Sequence, residues 1–144
     1  MTELNAIREQ ELLDVARENG GSSVKFFATH ELMKLCRVSA RQLQWWDEEG
    51  VVMPKQEGHK RLYSPEQVRR VYIVSELRRK GLSLQQIRKI LVQLNGINGG
   101  GYLVTDGRKA WQLQTPLAVV EALRESKRGM YVVDCRPKLF EVAA

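Results

Sequence analysis

Cysteine and histidine are scarce in this chain, which has two residues of each type among its 144 residues. Cys36 and Cys135 lie far apart and form no C-x-x-C pair. This spacing argues against a disulfide framework and against a zinc site, so no metal or other cofactor is predicted. Because unpaired cysteine is among the most buried residue types, Cys36 is expected to pack as a small apolar side chain.

Long apolar runs and catalytic signatures are also missing. No run approaches the roughly 18 apolar residues of a membrane span, and the N-terminus has no basic segment followed by an apolar one. Only His30 and His59 are available as near-neutral bases, and neither lies in a nucleophile, metal or phosphate-loop motif. We therefore expect a cytoplasmic protein that is not an enzyme.

Positive charge is concentrated in the middle of the sequence. The net charge is +6 for the whole chain, with −3 in residues 1–24, +7 in residues 25–94 and +2 in residues 95–144. A concentrated basic field is what neutralisation of phosphate groups needs, although Lys and Arg also keep helix surfaces solvated. Charge by itself therefore makes nucleic acid one of several candidate partners.

Apolar spacing and glycine-rich breaks divide the chain into four segments. Residues 1–24 have the pattern of a leading amphipathic helix followed by a flexible joint, and residues 25–95 form the principal domain. Residues 96–101 contain four glycines and are the predicted linker, and residues 102–144 form a small appendage. The predicted fold class is mainly α (α+β).

Helix start signals punctuate the principal domain. Thr29 can cap a short helix that ends at Leu35, and Ser39 opens a second helix with Gln42 as its capping-box partner. Two short helices separated by a four-residue break predict a helix-turn-helix. Residues 51–63 are extended at both ends with proline and glycine in between, which predicts a two-stranded wing with a basic tip.

Two further capping boxes follow, formed by Ser64 with Gln67 and by Ser83 with Gln86. Each precedes a segment with apolar residues at helical spacing, and the second segment ends near Gly96. They predict a second helix pair, which completes a compact winged helix-turn-helix domain.

The appendage has the pattern ββαβ. Residues 102–105 and 109–114 flank an Asp106-Gly107 turn, which is typical of a hairpin. A helix is predicted over residues 115–127 and a third strand over residues 130–134. Because so small a module buries little apolar surface alone, we expect it to pack on the principal domain or on a second copy of itself.

The helix that follows Ser39 carries recognition chemistry. Leu43 and Trp46 fall on one side, as core anchors would. Arg41 lies on another face, where it can read a guanine edge or clamp a phosphate. Trp45 can contact a phosphate or pack at the margin of the core.

Amide side chains and the wing add further candidates. Gln42 can bond an adenine edge or complete the capping box, and the sequence leaves both roles open. Arg61 can brace a phosphate or the recognition helix, whereas Lys55 and His59 can simply be a solvated hairpin tip. The predicted DNA-contacting residues are Ser39, Arg41, Gln42, Gln44, Trp45, Lys55, Lys60, Arg61 and Tyr63.

Five segments, in order, resemble the DNA-binding domain of the MerR family of transcription regulators. They are residues 26–32, 38–43, 45–52 with Pro54, 60–64 and 79–87. The resemblance implies that the helix carrying Arg41 lies in the major groove and that Trp45 takes the place of a phosphate-contacting tyrosine. It also implies that Arg61 and Tyr63 are the wing's contacts to the DNA backbone.

The chain departs from the family pattern in two places. Gln44-Trp45-Trp46 stands where the family usually has an arginine and two tyrosines. The long dimerisation helix that usually follows the domain is interrupted by the glycines after Asn95.

These patterns together predict a sequence-specific transcription regulator, nucleoid-associated, whose partner is double-stranded DNA. We expect a homodimer or a multimer assembled on DNA, and RNA polymerase or another protein is a candidate partner of the C-terminal module. One alternative is an architectural, excisionase-like factor that bends DNA. Another is a protein-interaction adaptor, suggested by the aromatic residues Tyr102, Trp111, Tyr131 and Phe140 in the appendage.

Overall fold

The computed structural model describes residues 25–94 and 100–136, which are divided into one compact unit before Ile73 and a second from Ile73 to Arg136. Five α-helices and two three-stranded antiparallel sheets make up these residues, so the fold is α+β. The predicted leading helix, most of the predicted linker and Phe140 lie outside the described residues. No helix within the described ranges is both long and apolar enough to cross a membrane.

The first unit contains two short helices, α1 (Thr29–Leu35) and α2 (Ala40–Glu48). The prediction that Thr29 caps α1 is wrong, because Ala28 is the capping residue. Only the reciprocal half of a capping box is possible at an alanine, and it is formed: Glu31 Oε1 accepts a hydrogen bond from the Ala28 N–H at 3.0 Å. An acidic side chain in the first turn also complements the helix dipole.

The break between α1 and α2 has an uncommon backbone conformation. Arg37 has a positive φ of 58°, a left-handed conformation that side chains with a Cβ seldom adopt. It reverses the chain between Cys36 and Ser39, which is where the sequence predicts the turn of the helix-turn-helix.

The first sheet has three strands, one more than the sequence predicts. Strands β2 (Lys55–Glu57) and β3 (Lys60–Tyr63) form a hairpin, and β1 (Phe27–Ala28) pairs with the other edge of β3. A two-residue strand offers no alternating pattern that sequence reasoning can detect. By this pairing β1 ties the chain just before α1 to the hairpin.

The core of the first unit is made of large side chains that are almost completely buried. Cys36 is among the buried residues, as predicted, and its Sγ lies 3.8 Å from the Val68 carbonyl oxygen. The other principal members are Leu32, Leu43, Trp46, Tyr63 and Val71.

Helices α3 (Pro65–Arg79) and α4 (Leu84–Gln93) begin where the capping boxes predict. Ser64 Oγ accepts from the Gln67 N–H at 3.2 Å, and Ser83 Oγ accepts from the Gln86 N–H at 3.2 Å. In both boxes the glutamine side chain bonds back to the serine backbone. These helix starts are therefore fixed by bonds within a single turn.

After Gly100 the chain forms β4 (Tyr102–Thr105), β5 (Ala110–Leu113), α5 (Pro116–Glu125) and β6 (Tyr131–Asp134). The second sheet has the order β5-β4-β6 and is antiparallel throughout. Its buried side chains include Leu103, Val104, Val119 and Val133.

Candidate nucleic-acid interface

Helix α2 separates a buried face from an exposed polar face. Leu43 and Trp46 are buried, with 1% and 0% of their surface exposed, so the prediction that they are core anchors is confirmed. Arg41 is exposed, and the neighbouring Trp45 is 38% exposed. Adjacent tryptophans therefore take opposite roles, one in the core and one at the surface.

The capping box at the start of α2 is formed. Ser39 Oγ accepts from the Gln42 N–H at 3.0 Å, and Gln42 Oε1 accepts from the Ser39 N–H at 2.9 Å. Of the two roles left open for Gln42, the structure shows the capping one. Both residues hold the first turn of the helix in place beside Arg41.

One shallow surface depression collects the polar residues of α2, and it is not uniformly basic. Gln44 Nε2 donates a hydrogen bond to Glu48 Oε1 at 3.0 Å. This bond orients the Gln44 amide, and it places a carboxylate at one end of the surface. The lining residues are Ser39, Arg41, Gln42, Gln44, Trp45 and Glu48.

The β2–β3 hairpin has exposed cations on both strands. Lys55 and Lys60 are exposed, and the Lys55 ammonium lies 5.5 Å from the centre of the Phe26 ring, within the range of a cation–π contact. The two-residue turn begins with Gly58, whose φ of 65° is what a Gly-first hairpin turn requires.

Arg61 connects the hairpin to α2. Its Nε donates to Asp47 Oδ2 at 2.8 Å, and both side chains are less than one third exposed. Of the two roles open for Arg61, this contact is the bracing of the helix. A charge-assisted bond of this length in a partly buried place is stronger than an exposed surface pair.

Tyr63 occupies the core of the first unit. Its side chain is fully buried, and its hydroxyl has no hydrogen-bond partner among the described residues. Burial raises the pKa of Tyr63 from 10.0 to about 12, with Arg61 lowering it and Asp47 raising it by their charges. The predicted phosphate contact of Tyr63 finds no support in this position and stays a prediction.

Sequence reasoning missed Asp47, Glu48 and Phe26. Asp47 follows two tryptophans and was one of several acids near the end of α2, so nothing local marked it as the partner of Arg61. Glu48 lies four residues after Gln44, a spacing at which helical side chains meet, and this signal was available. Phe26 precedes a strand too short to be recognised.

No group of three His, Cys, Asp or Glu side chains within residues 25–94 and 100–136 is arranged to hold a metal ion.

Two helices joined by a tight turn, the second of them presenting an exposed polar face, define a helix-turn-helix protein. Residues 27–94, slightly less than half of the chain, match the family described as MerR HTH family regulatory protein. This match supports a DNA-binding regulator of the MerR family, with the similarity carried by residues 27–94. No curated protein and no solved structure matched the chain.

Proposed function

We propose that this protein is a sequence-specific transcription regulator that places α2 in the major groove of DNA and the β2–β3 hairpin, as a wing, on the phosphate backbone. The observation that carries the proposal is the bond between Arg61 and Asp47. It fixes the basic hairpin to the helix whose exposed face carries Arg41. The residues proposed to read bases and those proposed to contact the phosphate backbone therefore keep a fixed relative position.

Within this proposal the exposed side chains have different roles in DNA binding. Arg41 reads a guanine edge, because a guanidinium can make two bonds to it. Trp45 contacts a phosphate through its indole N–H, and Lys55 and Lys60 supply phosphate neutralisation from the wing. Ser39 and Gln42 position the helix through the capping box, and Gln44 reaches the DNA only if its bond to Glu48 is exchanged.

The proposal is tested by selecting bound sequences from random duplex DNA and titrating the enriched duplex at several salt concentrations. An enriched motif with a steep salt dependence is expected. Arg41→Ala should relax one base position and cost about 1–3 kcal/mol there, whereas Lys34→Ala, an exposed cation on α1, should leave base preference unchanged. Binding without any enriched motif would instead favour an architectural factor.

A second candidate function, protein interaction, is favoured by one observation in residues 100–136. Leu117, Val120 and Leu123 recur along one side of α5 and are 67%, 43% and 41% exposed. We propose a second copy of the chain as the partner, because a dimer would read two half-sites of a symmetric operator.

The test of this second function is the oligomeric state of the full chain. Leu123→Glu should shift sedimentation toward the monomer, because it places a charge in the apolar stripe. Val92→Glu makes the same change at an exposed apolar position of α4 and is the matched control. Equal sedimentation of both variants and the wild type would remove α5 from the dimer interface.

A further inference from the structure

The second unit contains a basic depression between α4 and the turn that joins β4 to β5. Its volume is about 350 Å³, and no carboxylate lines it. The lining residues are Gln86, Lys89, Gln93, Gly107, Arg108 and Lys109. A concave surface with three cations and no acid has the chemistry of a phosphate-binding surface.

Two glutamines of α4 fix the turn in place. Gln93 Nε2 donates to the Arg108 carbonyl oxygen at 2.6 Å, and Gln93 Oε1 accepts from the Ala110 N–H at 3.0 Å. Gln86 Nε2 adds a longer bond, of 3.4 Å, to the Gly107 carbonyl oxygen. Because these bonds use only the turn's backbone, the Arg108 and Lys109 side chains are positioned without being neutralised.

The three cations of the depression form no ion pair among the described residues. Helix α4 has no carboxylate at all, so Lys89 has no acid on its own helix. Asp106 belongs to the same turn, but its Oδ1 accepts from the Arg108 and Lys109 N–H groups and its Oδ2 lies 4.0 Å from Arg128. The Asp106 carboxylate is therefore engaged by the backbone N–H groups of its own turn and by Arg128.

We propose that this depression is a second surface for the phosphate backbone of DNA, used in addition to α2 and the wing. The inference rests on the proposed function, because it needs a protein that already binds DNA. The cations are exposed, and an open surface binds a single small anion weakly against water. DNA presents its phosphates at short, regular intervals and releases counterions when they are neutralised, which suits such a surface.

The experiment compares two double variants of the full chain that remove the same charge. Arg108→Ala with Lys109→Ala removes two cations of the depression. Arg124→Ala with Lys127→Ala removes one exposed arginine and one exposed lysine of the same unit that do not line it. Each is titrated against the wild type on a duplex that extends about one helical turn, roughly 10 base pairs, beyond the selected motif.

The depression variant should lose about fivefold in affinity, and the slope of log affinity against log salt should become shallower by about 1 to 2. The matched variant should change the slope much less. Equal slopes for both variants would overturn the proposal while leaving the proposed function intact.

Two further outcomes are distinguishable. If the wild type enriches no sequence, the proposed function fails, and the same comparison is made on random duplex, where equal slopes again overturn this inference and unequal slopes support it. A pyrophosphate titration followed by calorimetry tests the other source of phosphate. Binding that the depression variant loses, with unchanged DNA affinity, would assign the site to a free phosphate compound and overturn the DNA assignment.

Discussion

The two hairpins of the molecule are held in different ways. In the β2–β3 hairpin, Arg61 bonds to Asp47 of α2, so its charge is partly neutralised where its position is fixed. At the β4–β5 turn, neutral glutamines fix the backbone, and Arg108 and Lys109 keep their charges unpaired. A hairpin can therefore be positioned by an ion pair or by hydrogen bonds from glutamine side chains to its backbone. Positioning by glutamine leaves the cations of the hairpin available to a ligand.

The largest expected effect is the loss of stability on replacing a glycine by alanine, and it should differ between the two hairpins. A Cβ added at Gly101, next to β4, would collide with the carbonyl oxygen of Leu113, and Gly101 also has a positive φ of 78°. Gly101→Ala should therefore lower the free energy of unfolding by about 3 kcal/mol. At Gly58 a Cβ meets nothing within 4 Å, so Gly58→Ala should cost only about 1 kcal/mol of backbone strain. Urea titration measures both, and equal losses would mean that β4 and β5 are not packed this closely.

The next effect concerns the buried end of the first hairpin. Because the pKa of Tyr63 is about 12 in the folded protein and about 10 when unfolded, ionisation of its hydroxyl opposes folding above about pH 10. As pH rises further, the wild type should lose stability relative to Tyr63→Phe, by about 2 kcal/mol at pH 12. At neutral pH the variant should be as stable or slightly more stable, since it removes an unpartnered hydroxyl. A difference in the free energy of unfolding between the wild type and Tyr63→Phe that stays constant from pH 8 to 12 would contradict the burial of Tyr63. A loss of DNA affinity by Tyr63→Phe at pH 7 would contradict it as well.

The amide attachment of the second hairpin can be broken directly. Gln93→Ala removes two hydrogen bonds to the turn and should lower the free energy of unfolding by about 1–2 kcal/mol. Gln85→Ala on the same helix is the control, because Gln85 is exposed and does not line the depression. Thermal unfolding distinguishes them, and two equal melting curves would show that these bonds contribute nothing to stability.

The smallest effect tests the charge attachment of the first hairpin. Asp47→Asn keeps the shape of the side chain but removes the charge that holds Arg61. Binding to random DNA should tighten, and discrimination in favour of the selected motif should fall by about five- to tenfold, or about 1 kcal/mol. Glu49→Gln removes the same charge two residues away. If Glu49→Gln changed binding by the same amount, the effect of Asp47→Asn would be explained by net charge and not by the loss of the bond to Arg61.

The starts of α2, α3 and α4 could be predicted from the sequence because their bonds are local. Ser39 and Gln42 lie within one helical turn, so the pattern of residue types already contains the interaction. The same locality explains why Leu43 and Trp46 were assigned to the core: helical periodicity alone places them on one side.

Contacts between distant parts of the chain could not be predicted. Arg61 and Asp47 are 14 residues apart, and several other carboxylates were equally eligible as partners of that arginine. The attachment of Gln93 to Arg108 depends on how α4 packs beside β5, which no residue pattern specifies. Gly101 was assigned to the predicted linker, because a glycine needed for close backbone approach has the same sequence signature as a glycine in a linker.

The surroundings of the two cysteines, one buried and one half-buried, have a practical consequence for studying the protein in solution. Cys36 is enclosed in the core, and burial, with a smaller contribution from the charge of Asp134, raises the pKa of the Cys135 thiol to about 11. Thiol reagents attack the thiolate, which is scarce at neutral pH for such a group. A cysteine introduced at His59, on the exposed tip of the first hairpin, would therefore take up a fluorescent maleimide selectively. Labelling at that tip would then report the binding of a duplex with little background from the two natural thiols, and neither thiol would need to be removed.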